Sequence, residues 1–232
     1  MKQTVTALLI LVVTSAQSQQ SAYSDPAQAY NKLLIEKNNN SYTRIGTFKV
    51  AGSPYLFGEK RAGDIFSAKD SGTNIPLSYN IYSQEIMFSG HNSNILVREP
   101  GTVDSFIIHA SAGQGMERDL LFIYGKLLNV KDKAYFQVVE KGSRFVLYKK
   151  YSASLGIVSA NYSQPDLRQF EISIDYFYND NNEPGLKKLK TTADQLTKEF
   201  SRIKDLSAVL DRDQLLLEKE KQLIRIFTWL NE

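Results

Sequence analysis

The spacing of apolar residues changes period partway along this chain, and that change decides which folds are open to it. From Thr47 onward the period is two. Ile75, Leu77, Tyr79 and Ile81 alternate with Pro76, Ser78, Asn80 and Tyr82, and Phe170, Ile172, Ile174, Tyr176 and Tyr178 alternate with Gln169, Glu171, Ser173 and Asp175. Successive side chains of a strand point to opposite faces, so these runs predict half-buried antiparallel strands with one face on a core. Less regular runs at Ile86-Met87-Phe88, Ile95-Leu96-Val97, Phe106-Ile107-Ile108, Tyr135 to Val139 and Phe145 to Tyr148 read the same way. Turn chemistry separates them at Asp70-Ser71-Gly72, Gly90 to Ser93, Glu99-Pro100-Gly101, Glu140 to Ser143 and Asn179 to Asn182. That punctuation predicts about eight to ten strands in a meander, a sandwich or a partly closed barrel.

Past Glu183-Pro184-Gly185 the spacing becomes helical. Leu186, Leu189, Leu196, Phe200 and Ile203 predict one amphipathic helix. Asp211-Arg212-Asp213-Gln214 has capping-box spacing and starts a second, running to about Trp229. Its apolar residues cover more than one stripe, which an isolated surface helix does not need. The fold expected is therefore α+β, an antiparallel sheet with two C-terminal amphipathic helices packed on it. A helix clamped between sheet and partner helix explains most of the surplus. The sharper reading gives part of it, at Phe227, Trp229 and Leu230, to contact with another envelope protein.

The N-terminus carries an address. Lys2 precedes an apolar run from Ala7 to Val13, and Ala16-Gln17-Ser18 offers small residues at the spacing of a signal-peptidase site. The run is shorter than the roughly 20 apolar residues that span a bilayer. Export with cleavage near Ala16 or Ser18 is expected, leaving no transmembrane anchor. The divisions expected are a signal peptide over 1–18, a segment with a short helix over 19–46, a β-domain over 47–180 and a helical pair over 185–230. An outer-membrane barrel is not expected, because such barrels are closed by strands and this chain ends in helices.

The chain has 232 residues, 42% of them hydrophobic and 11% aromatic, which suffices for a packed core. It has no cysteine, so no disulfide, thiolate nucleophile or Cys-based zinc site is available. A Cys-free exported chain suits a bacterial periplasm or extracellular space. Its formal charge of +3 gives no electrostatic reason to expect nucleic acid or an anionic membrane surface as partner. Asn39-Asn40-Ser41 and Asn161-Tyr162-Ser163 match the glycosylation pattern by chance in that setting.

Motifs for chemistry are sparse. His91 and His109 approach one another if residues 99–102 form a hairpin loop, and Glu85 or Glu117 then completes a polar cluster. No His-Glu-x-x-His accompanies them, so two unrelated histidines are the plainer reading, and no cofactor or metal is expected. Ser201-Arg202-Ile203-Lys204 has Ser-x-x-Lys spacing without the partner motifs of penicillin-recognising enzymes. Gly113-Gln114-Gly115 lacks the Lys-Ser or Lys-Thr of a phosphate loop. Asp64, Asp70, Asp104 and the two glutamates offer carboxylates without a fixed separation. Tyr82, Tyr135, Tyr148, Tyr176, Phe177 and Tyr178 suit a core first, and second an aromatic platform for glycans or apolar ligands.

The order of these parts resembles a group of uncharacterised exported proteins of Bacteroidota. The likeness rests on Gly52-Ser53-Pro54-Tyr55-Leu56, Leu77-Ser78-Tyr79-Asn80, Tyr124-Gly125-Lys126, Leu147-Tyr148-Lys149-Lys150, Tyr176-Phe177-Tyr178 and the Lys-rich helix pair. That group has no assigned activity, so the resemblance implies localisation and architecture and transfers no site. The function expected is a non-catalytic interaction or ligand-binding module of the bacterial envelope. A hydrolase of an envelope polymer and a carrier of an apolar ligand remain open beside it.

Overall fold

The computed structural model describes residues 49–89, 95–98, 100–111, 116–157, 167–183 and 185–232. The chain divides into two units, Met1–Lys49 and Val50–Glu232. The second holds the sheet and the C-terminal helices. The signal-peptide and short-helix expectations, and His91, lie outside the described residues.

Among the described residues eleven strands form one antiparallel sheet: β1 (Lys49–Ala51), β2 (Tyr55–Phe66), β3 (Ser71–Asn80), β4 (Glu85–Ser89), β5 (Ile95–Arg98), β6 (Ser105–Ile108), β7 (Leu120–Tyr124), β8 (Tyr135–Lys141), β9 (Phe145–Ile157), β10 (Leu167–Asp180) and β11 (Leu186–Leu189). The spatial order runs β1-β10-β9-β8-β7-β6-β2-β3-β4-β5, with β11 also on β10. The sheet does not close, yet it curls. The amide of Ala153 on β9 donates to the carbonyl of Ile81 in the β3–β4 turn (3.1 Å), and Gln84 in that turn donates to the carbonyls of Ile81 and Tyr151. One side is therefore concave.

Two apolar clusters lie side by side on that concave face. In the first, Tyr79 sits edge-on to Phe106, Phe122 and Tyr135 at 5.1, 5.5 and 5.8 Å, and Phe106 stacks on Phe122 at 4.6 Å. β2 crosses here between β3 and β6. A Cβ on Gly63 would stand 2.2 Å from the Ile107 carbonyl oxygen, so no larger residue fits. The second cluster joins the sheet to the helices α1 (Ala193–Phe200), α2 (Arg212–Leu217) and α3 (Lys219–Asn231). Phe145, Tyr178, Phe200 and Phe227 form a tetrad in which every pair of ring centroids lies within 6.5 Å. Such contacts stabilise by about 0.5–1.5 kcal/mol per pair beyond the area they bury. On the convex face Phe136, Val146 and Tyr148 make a smaller cluster, with Phe177 edge-on to Phe136 at 5.2 Å.

The α+β architecture matches the sequence expectation, with three local departures. Leu186 and Leu189 belong to strand β11, not to a helix, and pair with Asn179 and Tyr176. The second helix is broken at Glu218 (φ −132°, ψ 53°) into α2 and α3. Its expected start holds, since the Asp211 carboxylate accepts from the amides of Asp213 and Gln214, both at 3.0 Å. Finally, β5 pairs with β4 and β6 pairs with β2 and β7, so the hairpin that would have brought His91 to His109 does not form.

Candidate functional site

Lys149 is the residue that points to a site. On the concave face of β9 the chain reads Phe145, Leu147, Lys149, Tyr151, a lysine between two apolar clusters, and Lys149 is only 7% exposed. A buried ammonium costs several kcal/mol unless paired and hydrogen-bonded. Here Nζ is paired with the carboxylate of Glu220, from the first turn of α3, and lies 4.8 Å from the centre of the Tyr151 ring. The phenol of Tyr176 also donates to Glu220 Oε2 (3.1 Å). The phenol of Tyr151 donates to Oε1 of buried Gln137, the cross-strand neighbour of Lys149 (3.0 Å). Burial, and then the Glu220 carboxylate, raise both phenols far above their ordinary value, so each stays a proton donor at physiological pH.

Around this floor stands a cleft of about 480 Å³, lined also by Phe57, Met116, Glu117, Arg118 and Leu120. That volume falls in the range of small-ligand sites. Two irregularities build its walls. In β2 the register jumps from Leu56↔Tyr79 to Arg61↔Leu77, leaving Phe57, Gly58, Glu59 and Lys60 opposite Ser78 alone. Phe57, Gly58 and Lys60 all take left-handed φ (60°, 89° and 55°), and the Lys60 amide donates to Ser78 Oγ (2.9 Å). Left-handed backbone at non-glycine residues costs on the order of 1 kcal/mol each and gathers at functional sites. The bulge brings Phe57 into an edge-to-face contact with Tyr151 at 6.2 Å and leaves the residue 38% exposed. In β8 a second bulge between Val138 and Glu140 turns the Val139 carbonyl outward to accept from Arg118 Nη2 (3.0 Å). That bond holds the Glu117–Arg118 wall in place.

A second recess of about 590 Å³ lies beside the β2–β3 turn, lined by residues 65–72 with Ile75, Phe88, Arg98 and Gly101 to Asp104. Its charged side chains are exposed or half-exposed, and no buried polar side chain among the described residues lines it. The cleft at Lys149 has two, Gln137 and Lys149.

The residues singled out from the sequence scatter. Glu117 is in the cleft. Glu85 stands at the start of β4, where its Oε2 accepts from Ser83 Oγ (2.7 Å). His109 follows β6 on the opposite face from Phe106 and Ile108, clasped between two carboxylates. Its Nε2 lies 3.1 Å from Asp64 Oδ1 and its Nδ1 3.1 Å from Asp119 Oδ2. The Asp119 contact first, and Asp64 with it, raise the imidazole above its ordinary value. The Ala110 amide, then His109, hold Asp119 below its own. No three acidic or imidazole side chains among the described residues form a group able to hold a metal. Phe227 and Leu230 spend their side chains in the second cluster and are buried. Trp229 is half-buried, its Nε1 donating to the Asp205 carbonyl and its ring under Lys204. Phe227 and Leu230 are thus committed within the chain, while Trp229 keeps part of its surface exposed. The exposed apolar surface of the helices is at Leu216 and Leu217, 82% and 84% exposed. No described helix is long and apolar enough to cross a membrane.

No protein-family model, curated protein sequence or solved structure matches this chain.

Proposed function

We propose that this chain is an exported, non-catalytic binding module of the bacterial envelope that holds a small ligand in the cleft at Lys149. The observation that carries the reading is the buried Lys149–Glu220–Tyr176 and Tyr151–Gln137 network, exposed on one side to a ligand-sized cleft and overhung by the bulge at Phe57. Buried polar groups cost stability unless satisfied, and a backbone excursion through three left-handed residues adds to that cost. Both are retained where binding uses them.

The clasp on His109 removes that residue as a base for the hydrolase reading. With a carboxylate on each ring nitrogen, His109 has none left to take a proton from a nucleophile. An apolar carrier fares no better, since the interior of the curl is filled by the aromatic rings of the first cluster. The leader at residues 1–18 supports export. Sequencing of the recovered protein is expected to find its N-terminus near Gln17 to Gln19. An intact Met1 on the bulk of the protein overturns export.

Binding is tested by thermal unfolding of the exported protein with and without the low-molecular-mass fraction of its host's envelope. Ligand at about 100 times its Kd stabilises by about 2.7 kcal/mol. A rise in midpoint that Phe57→Ala abolishes supports the module. An unchanged midpoint overturns it.

A further inference from the structure

We infer that the ligand class of this cleft is a neutral saccharide, an inference that rests on the binding reading above. The first reason is charge. Glu117 and Glu220 offset Arg118 and Lys149, so the four charged side chains among the described residues lining the cleft sum to zero. A carboxylate or phosphate ligand gains from the two cations and loses to the two carboxylates, and an organic cation faces the reverse. Neither sign of ligand finds a field tuned to it.

The second reason is the pairing of donors with acceptors. Carboxylate oxygens accept, guanidinium and ammonium groups donate, and an amide such as that of Gln137 does both. A hydroxyl is the ligand group that donates and accepts at once, and charge-assisted bonds from neighbouring hydroxyls to Glu or Arg are the strong kind. A hydrocarbon, by contrast, would cover the exposed carboxylate of Glu117 and guanidinium of Arg118 and return no hydrogen bond, which costs about 1–3 kcal/mol per polar group.

The third reason is Phe57. Its ring is held out by the bulge, over Tyr151 and beside Met116 and Leu120. The negative face of an aromatic ring suits the weakly positive C–H face of a pyranose, while the hydroxyls around that sugar's rim meet the polar side chains. One aromatic wall and a rim of mixed hydrogen-bonding groups is the arrangement a polyol with one apolar face requires.

The experiment is a glycan array carrying neutral, acidic and amino-sugar structures, probed with the exported protein. Three variants accompany it: Phe57→Ala, Glu117→Gln and, as a control on the opposite face, Asp119→Asn. Phe57 and Glu117 are exposed, so both variants are expected to fold, and an unchanged unfolding midpoint confirms it. Binding to neutral glycans, weakened about tenfold or more by each cleft variant and unmoved by Asp119→Asn, is the expected result. Binding confined to acidic or amino sugars, neutral binding insensitive to both cleft variants, or no glycan bound overturns the inference. A blank array alongside a midpoint raised by the envelope fraction removes the saccharide and leaves the binding module standing. A blank array with an unmoved midpoint removes both.

Discussion

Asn231 fastens the last turn of α3 to the β8–β9 turn, and removing it should loosen the helix that carries Glu220. Its Oδ1 accepts from the backbone amides of Arg144 (3.0 Å) and Phe145 (2.8 Å), and its Nδ2 donates to the carbonyls of Phe145 (3.0 Å) and Phe227 (2.8 Å). Three of those bonds cross to the sheet. At about 1 kcal/mol net for each, Asn231→Ala costs about 3 kcal/mol. Since Asn231 is half-buried and water can replace part of the loss, a range of about 2–4 kcal/mol is expected. In a domain of this size each kcal/mol moves the thermal midpoint by about 2–4 °C, so a fall of about 4–16 °C follows. Asn231→Asp keeps the acceptor for both amides but sets a carboxylate oxygen against the Phe145 and Phe227 carbonyls at the helix C-terminus, and should cost at least as much. The assay is urea unfolding followed by fluorescence of Trp229, the single tryptophan of the chain, two residues away on the same helix. A loss for Asn231→Ala below about 0.5 kcal/mol, the scale of an ordinary surface change, refutes the clamp.

Three further perturbations test other parts of the structure. Gly63→Ala puts a Cβ 2.2 Å from the Ile107 carbonyl oxygen, so β2 and β6 must part, and a loss of about 2–3 kcal/mol in urea unfolding is expected. Leu216→Ser with Leu217→Ser changes only exposed side chains and should leave stability within about 0.5 kcal/mol by the same assay. The His109 clasp gives a pH signature. Its folded value is raised above the unfolded value near ~6.5, so its contribution is complete below that pH and fades as pH rises through the folded value. Asp119, lowered on folding, contributes above its unfolded value and loses that contribution in acid. The stability gap between wild type and His109→Gln should therefore be wider at about pH 5.5 than at about pH 8.5. A gap that widens toward alkaline pH contradicts the clasp.

Much of the sheet was legible because burial follows alternation. Leu77, Tyr79 and Ile81 are buried as their spacing predicts, although Ser78 and Asn80 between them are buried as well, and the Phe145–Leu147 face packs on the helices. Leu186 and Leu189 misled for a physical reason. A separation of three puts two residues on one face of a helix but on opposite faces of a strand, and here Leu186 packs with the convex cluster while Leu189 joins the concave one. Ile172 and Ile174 keep the alternation of β10 yet are 55% and 47% exposed, so period alone did not give their burial. The break at Glu218 had no glycine or proline to announce it. The pairing of β6 with β2 is non-local, and a hairpin guess from adjacent runs could not reach it.

The site was less legible than the fold. Its members come from the β2 bulge, the approach to β7, two central strands and the start of α3, and of the sequence candidates only Glu117 lines it, with Tyr176 behind it on Glu220. One signal was present in the sequence. Lys149 interrupts the apolar face of Phe145, Leu147 and Tyr151, and a charge at such a position must be either an error of register or a paired, buried group. The partner Glu220 stands on α3, far along the chain, so no local spacing joins the two.

The most direct measurement is amide chemical-shift mapping of the ¹⁵N-labelled protein as a low-molecular-mass bacterial envelope fraction is added. Shifts gathered on residues 57–60, 116–118, 137, 149–151 and 220 are the expected result, since those backbones frame the cleft. Shifts gathered instead on residues 65–72 and 101–104 place binding in the other recess. That outcome, or a spectrum that does not move, contradicts the assignment of the cleft at Lys149.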